Sequence, residues 1–309
     1  METPLSFWIG FNTAVVVLLI LDLTVLHQEP RAISVRESLL TTLVWVLLAS
    51  GFGLWIMSGD MGKGLEFFTG YLIEYSLSMD NVFIFVIVFG AFQVSPENQR
   101  RVLFWGVLSA FVMRGAMIGA GVKLLEHFEW IIYLFGAYIL YAGFNMLRHK
   151  KKPAVEEMRA VRVARRILPI SAGSYGGRFL VRENGRPKFT LLFLVLVVIE
   201  FTDLIFALDS IPAIFGVTRD PFIVYTSNVC AVLGLRSLYF LLAGAMKSMV
   251  YLHVGLAWVL IFIGAKMLSE NFFPIPTGIS LAVVGGILAL AVGASLFKTA
   301  GKKDAVEKS

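Results

Sequence analysis

Apolar positions in this chain fall in blocks about twenty residues long, parted by short polar stretches. About 20 apolar residues carry an α-helix across a bilayer. The blocks therefore predict nine spans, near 5–26, 38–58, 66–92, 101–123, 130–147, 189–215, 221–246, 250–269 and 275–297. The first is too long for a signal-peptide core and has no basic residue before it, so it is expected to stay as the first helix. The expected fold is an all-α polytopic membrane protein with one integral membrane domain. Its parts are five spans over 1–147, a basic loop over 148–188, four spans over 189–297 and a tail over 298–309. Within the loop, 153–168 reads as a short basic interfacial helix with Val155, Met158, Val161 and Leu168 towards lipid. The stretch 179–190, with Glu183-Asn184-Gly185 at its middle, reads as a small hairpin.

Composition agrees. Of 309 residues, 58% are hydrophobic and only 16% charged, where a soluble domain carries about 25% charged residues. Mean hydropathy is +0.79. Charge then sets the orientation. With the N-terminus outside, the cytoplasmic loops and tail hold 21 of the 27 Lys and Arg residues, and the outer loops hold only Lys63, Lys123 and Arg219. That bias follows the positive-inside rule and predicts N-out, C-in. The basic loop is read as marking the cytoplasmic face, with no nucleic-acid partner expected. The lone Cys230 cannot form a CxxC motif, and the four histidines, His27, His127, His149 and His253, lie near predicted helix ends.

Two regions repeat each other. Glu74 and Asp80 are six residues apart, as are Asp203 and Asp209, and each second acid is followed by a small polar residue, Asn81 or Ser210. Downstream, Arg114 matches Arg236, and the segment around Gly143 matches that around Gly264; the spacings are 29 and 28 residues. Spans three to five and six to eight thus read as two copies of a three-helix unit. An odd number of helices inverts the second copy, an arrangement that places a transport site near the midplane between repeats.

Six acids fall within spans: Asp22, Glu74, Asp80, Glu200, Asp203 and Asp209. Each costs roughly 2.5–3.5 kcal/mol at a helix centre on insertion scales. Arg114 and Arg236 can serve as counter-ions and Lys266 as a third, which leaves a surplus of three or four acids. Glu74 and Asn81 lie within about 20° of one another on a helix, as do Asp203 and Ser210, whereas the two acids of each pair are about 9 Å apart along the axis. Two such helices crossing can surround an ion that one cannot. Pro212 is expected to break or kink span six just past Asp209. The candidate ligands, Glu74, Asp80, Asn81, Glu200, Asp203, Asp209 and Ser210, with Asp22 as an outlying member, are all oxygen donors. Such a set suits a hard divalent cation, Mn²⁺, Mg²⁺ or Ca²⁺, over zinc or copper. A salt-bridge lattice holding the bundle together is the competing reading of the same acids.

At these residues the chain resembles the TerC family of integral membrane proteins, particularly its Alx-like branch. The resemblance is carried by 70–85 with Asp80-Asn81, by 200–215 (EFTDLIFALDSIPAIF), by 226–244 and by 264–268, with Asp22 in Leu-Asp-Leu also matching. It implies manganese export across the cell inner membrane with the intramembrane acids as ligands. An older label for the branch is redox modulator, to which one cysteine and no cofactor motif lend nothing. No Walker motif is visible, so ATP drive within this chain is not expected, nor is enzymatic activity or a permanently bound cofactor. The expected function is a secondary transporter whose partners are the divalent ion and the bilayer, with proton coupling open. The alternative is a regulatory membrane protein acting through the 148–188 loop. Gly115 and Gly119 form a small-xxx-small pair suited to close helix packing, within the bundle or between copies.

Overall fold

A computed structural model of the chain describes residues 3–24, 35–128, 130–148, 161, 168–171, 176–183, 185–245, 251–270 and 272–307. Ten helices and one hairpin lie among them: α1 (Leu5–Thr24), α2 (Val35–Gly59), α3 (Met61–Ala91), α4 (Pro96–His127), α5 (Ile131–Arg148), β1 (Leu180–Glu183), β2 (Arg186–Phe189), α6 (Leu191–Phe215), α7 (Pro221–Leu233), α8 (Leu235–Ala245), α9 (Leu252–Ser269) and α10 (Thr277–Glu307). Among the described residues eight helices are long and apolar enough to cross a membrane, and α7 with α8, bent by 41°, passes the same test when the pair is taken as one span. The protein is an all-α, multi-pass membrane protein.

Polar residues at the block ends start the helices. Asp60 accepts from the Lys63 amide (3.1 Å), Thr190 from the Phe193 amide (3.3 Å) and Asp220 from the Phe222 amide (3.0 Å). Pro96 and Pro221 begin α4 and α7, where a missing N–H leaves no bond unmade. Two expectations change. The seventh predicted span is broken at Gly234, which parts α7 from α8. Of the break or kink expected at Pro212, the break does not occur; α6 runs on to Phe215. So near the helix end the ring removes a single ladder bond, which the turns on either side tolerate.

Burial places α3 at the centre: 69% of its spanning window is buried, against 17% for α1. The outer helices show apolar side chains to the surroundings, among them Leu39, Leu43, Leu47 and Leu54 of α2, as lipid requires.

The helices α5 and α9 pack on each other through glycines. A methyl on Gly143 would stand 2.9 Å from the Ala257 carbonyl oxygen and 2.8 Å from Ile261, while one on Gly264 would stand 2.8 Å from the Gly136 carbonyl oxygen and 2.7 Å from the Leu140 nitrogen. One offset, 121 residues, relates 136 to 257, 140 to 261 and 143 to 264. Each of these contacts therefore has its reverse, the mark of a two-fold interface. The same reciprocity joins α3 to α7 and α4 to α6. Gly115 lies inside the bundle against Tyr225, and a methyl on Gly119 would meet nothing within 4 Å.

The hairpin forms where expected, with Gly185 at positive φ (76°) in its turn. It is tied to the start of α6 by Thr190 donating to the Arg178 carbonyl (2.7 Å) and to α4 by Arg101 donating to the Gly177 carbonyl. Of the predicted interfacial helix only Val161 and Leu168 are among the described residues, and Val161, expected towards lipid, is instead buried in an apolar cluster with residues of α3, α4 and α6.

Candidate metal site

The apolar interior divides into two clusters. One holds positions within 67–77 of α3 and 207–215 of α6; the other holds positions within 82–89 of α3 and 192–199 of α6. Polar side chains of α3 and α6 sit between them, in surroundings where a charge without a partner is costly.

Arg114 of α4 fills that gap and is 1% exposed. Its guanidinium donates to Glu74 Oε1 through Nη1, to Asp203 Oδ1 through Nη2 (3.0 Å) and to Asp203 Oδ2 through Nε (3.3 Å). Nη1 also reaches Asn228 Oδ1 (3.2 Å), and Asn228 Nδ2 donates to Glu74 Oε2 (3.0 Å). Asn81 Nδ2 donates to Asp203 Oδ1 (2.9 Å). All four oxygens of Glu74 and Asp203 thus accept from N–H groups. The acids at matched positions of the two copies are joined by one arginine.

Beside this network is a cavity of about 300 Å³. Glu74 and Asn81 of α3, Tyr138 and Asn145 of α5, Asp209 and Ser210 of α6 and His253 of α9 are in its wall. It reaches from mid-helix towards the end of α5 and the start of α9, the end of the bundle that the basic residues assign to the cytoplasm. Two lining oxygens are buried without a hydrogen-bond partner, Asn81 Oδ1 and Ser210 Oγ. Asn81 and Ser210 are 1% and 2% exposed and hold corresponding positions in the two copies. By donating to Asp203, the Asn81 amide commits its nitrogen and leaves its oxygen for the cavity. Asp209 accepts from the Tyr138 hydroxyl through Oδ1 (2.7 Å).

The remaining candidates are placed elsewhere. Asp22 accepts from Arg236 Nη1 (2.9 Å) at a separate polar spot with Ser38, Thr41 and Ser237, away from the cavity. Glu200 turns towards α4, its Oε1 3.3 Å from where a methyl on Gly106 would sit. Asp80 falls on α3, and its side chain lies outside the described residues. Among the described residues no three His, Cys, Asp or Glu side chains converge as a metal cage; the unpartnered oxygens in the cavity wall belong to an amide and a hydroxyl, and the two Glu200 oxygens, also buried without a hydrogen-bond partner, lie outside that wall. Asn228 was not anticipated. An amide inside an apolar span was its visible signal, but its partners lie 114 and 154 residues away.

The model of the family described as "Integral membrane protein TerC family" matches residues 60–303. The chain belongs to the TerC family. It is 46% identical over 297 residues to a Myxococcus xanthus protein named as an uncharacterized membrane protein, STKORF319, covering 95% of this chain and 93% of that one. It is 44% identical to proteins of Salmonella typhi and Escherichia coli K12 named Alx and labelled as proposed membrane-bound redox modulators, over 94% and 93% of this chain and 93% of each. No solved structure matches it. The TerC match begins at the start of α3, so both acid-bearing copies and the cavity lie within it, and α1 and α2 precede it.

Proposed function

We propose that this TerC protein is a secondary transporter of the cell inner membrane that exports a hard divalent cation, Mn²⁺ in the first instance. The observation that carries the reading is the pair of buried, unpartnered oxygens, Asn81 Oδ1 and Ser210 Oγ, lining one cavity with Asp209. A buried oxygen without a donor costs about 1–3 kcal/mol. Two at corresponding positions, next to a carboxylate, favour a cation ligand as the compensating partner. Amide, hydroxyl and carboxylate oxygens are the donors that Mn²⁺, Mg²⁺ and Ca²⁺ take. Glu74, also in the wall, and Asp203 behind it supply further carboxylate when their present partners release them. Asp80 keeps its place as a ligand on the sequence argument alone.

The inverted packing of the two copies suits alternating access about a fixed midplane site. Cys230 is the only cysteine in the chain, so no dithiol couple can form within it.

The test is Mn²⁺ flux in vesicles containing purified protein. Asp209→Asn is expected to lower flux by about tenfold or more, since loss even of a partner behind a metal ligand costs about 10–100-fold, and Asn81→Ala with Ser210→Ala to do the same. Wild type without flux of Mn²⁺, Mg²⁺ or Ca²⁺, with or without a pH gradient, would end the transporter reading and favour a regulatory role through the 148–188 loop.

A further inference from the structure

We propose that Arg114 is a tethered counter-cation that leaves Glu74 and Asp203 when the cargo ion binds them and returns when the ion departs. The inference rests on the transporter reading above and adds what offsets one of the two acid charges in the empty carrier.

Glu74 and Asp203 are suited by charge and position to hold a cation, yet every one of their oxygens is taken by a donor. Three of those contacts come from Arg114 alone. A divalent ion can use these carboxylates only after the guanidinium gives way. Glu74 is also part of the cavity wall with Asn81, Asp209 and Ser210, so an ion held there by the unpartnered oxygens is beside the acid that Arg114 occupies.

Electrostatics gives the exchange a purpose. The acid pair alone carries two negative charges between apolar clusters, and with Arg114 it carries one. An ion at the pair in place of Arg114 leaves none. An empty carrier has to return across its conformational cycle, and two bare buried carboxylates oppose that movement. Arg114 offsets one of the two charges in the empty state without help from a second ion. Its position fits that role. The helix α4 belongs to the first copy, and Arg114 binds one acid from each copy, so it bridges the seam that alternating access has to shift. A cation on the fixed side of that seam, bonded to one copy only, would have no such role. Arg236, at the corresponding place in the second copy, is engaged with Asp22 and is not a substitute.

Exchange kinetics separate this role from a structural one. Vesicles loaded with Mn²⁺ are diluted into medium without Mn²⁺ for net efflux, and into medium with Mn²⁺ for exchange. Net efflux needs the empty carrier to return; exchange does not. For Arg114→Gln, net efflux is expected to fall about tenfold or more while exchange stays within about threefold, a separation in the range of site-to-site couplings. Equilibrium Mn²⁺ binding should tighten, and Mn²⁺ should raise the melting temperature of Arg114→Gln more than that of wild type. Should Arg114→Gln fold only in Mn²⁺, that dependence is itself the expected result, and Arg114→Lys carries the flux measurement with a smaller separation in the same direction. Equal loss of exchange and net efflux, with no tightening of Mn²⁺ binding in either variant, would make Arg114 structural and overturn the proposal. If wild type moves Mn²⁺ and Asp209→Asn does not, the transporter reading survives that failure. If wild type itself neither binds nor moves Mn²⁺, the reading falls and this inference with it.

Discussion

Arg114 and Arg236 occupy corresponding places in the two copies and live in different surroundings. Arg114 reaches two carboxylates and an amide through three nitrogens at the centre of the bundle. Arg236 meets Asp22 through Nη1, and its buried Nε has no partner. Asp22 is on α1, outside the repeated units, and α1 is the least buried spanning helix. A position duplicated with the copies therefore does not keep its role. In one copy the base balances acids where the copies meet; in the other it fastens a peripheral helix to the bundle. Gly234 contributes to the divergence, because the break between α7 and α8 sets Arg236 at the second residue of a new helix, whereas α4 is continuous past Arg114.

The largest effect is expected at Arg114. Arg114→Ala leaves Glu74 and Asp203 buried with a deficit of positive charge, and removing one member of a buried ion pair costs about 3–5 kcal/mol. Thermal unfolding in detergent should show a large loss for Arg114→Ala. A loss no greater than that of Arg236→Ala would erase the distinction between the two arginines.

The second test strikes the symmetry on which the correspondence depends. Gly264→Leu places a side chain against the Leu140 and Gly136 backbone, atoms that cannot turn aside. Overpacking costs typically about 1–3 kcal/mol, with backbone contacts at the upper end. Gly143→Leu should cost a comparable amount, because its contacts are the reverse of the same set. Gly119→Leu, with open space around it, should cost little. Unequal losses at 143 and 264 would show that the two-fold packing does not extend to energetics.

Much of this arrangement was readable from the chain, and the limits have physical reasons. Nine apolar blocks, their orientation-setting loops and the duplicated acids rest on local pattern, and Glu183-Asn184-Gly185 announces a hairpin by turn chemistry. Partner choice is another matter. A surplus of acids over bases says that some are engaged, but not that Arg114 takes Glu74 and Asp203 while Arg236 takes Asp22 from 214 residues away. Packing decides those pairs. Asn228 escaped because it has no counterpart at the matched position of the first copy, where the residue is Gly106, and the break offered at Pro212 is absent because the proline sits one turn from the helix end.

A smaller effect is expected at the tether. Arg236→Ala removes a charged partner of Asp22 in a spot where both side chains retain slight exposure, 9% and 11%. Membrane-buried hydrogen bonds average below about 1 kcal/mol and charged ones reach about 1.5–3, so a loss of about 1–2 kcal/mol is expected. The change should also be local: cysteine crosslinking between α1 and α2 should slacken while Mn²⁺ flux persists. A variant with Asp22→Arg and Arg236→Asp should regain part of the lost stability, since the charges of the pair are then restored in reverse.

The smallest effect is expected for Arg236→Lys, and set beside Arg114→Lys it is the most discriminating, because the pair asks what each arginine uses its shape for. A guanidinium presents five donors in a rigid fork, whereas an ammonium is a compact charge on a flexible stem. At Arg114 the fork is fully employed: Nε and Nη2 take the two oxygens of Asp203 while Nη1 serves Glu74 and Asn228. Lysine cannot reach three groups in that layout, so Arg114→Lys should cost about 2 kcal/mol or more, the loss of two charge-assisted bonds net of what the ammonium recovers. At Arg236, Nη1 meets Asp22 while Nε is buried unpartnered. Arg236→Lys keeps one charged contact with Asp22 and removes the orphaned donor, so its cost should lie within about 0.5 kcal/mol of zero. Paired melting curves of the two lysine variants decide the matter. A wide gap between them means that the first copy depends on geometry and the second on charge alone; equal curves would mean that both positions need only a positive charge, and the fork at Arg114 would lose its significance.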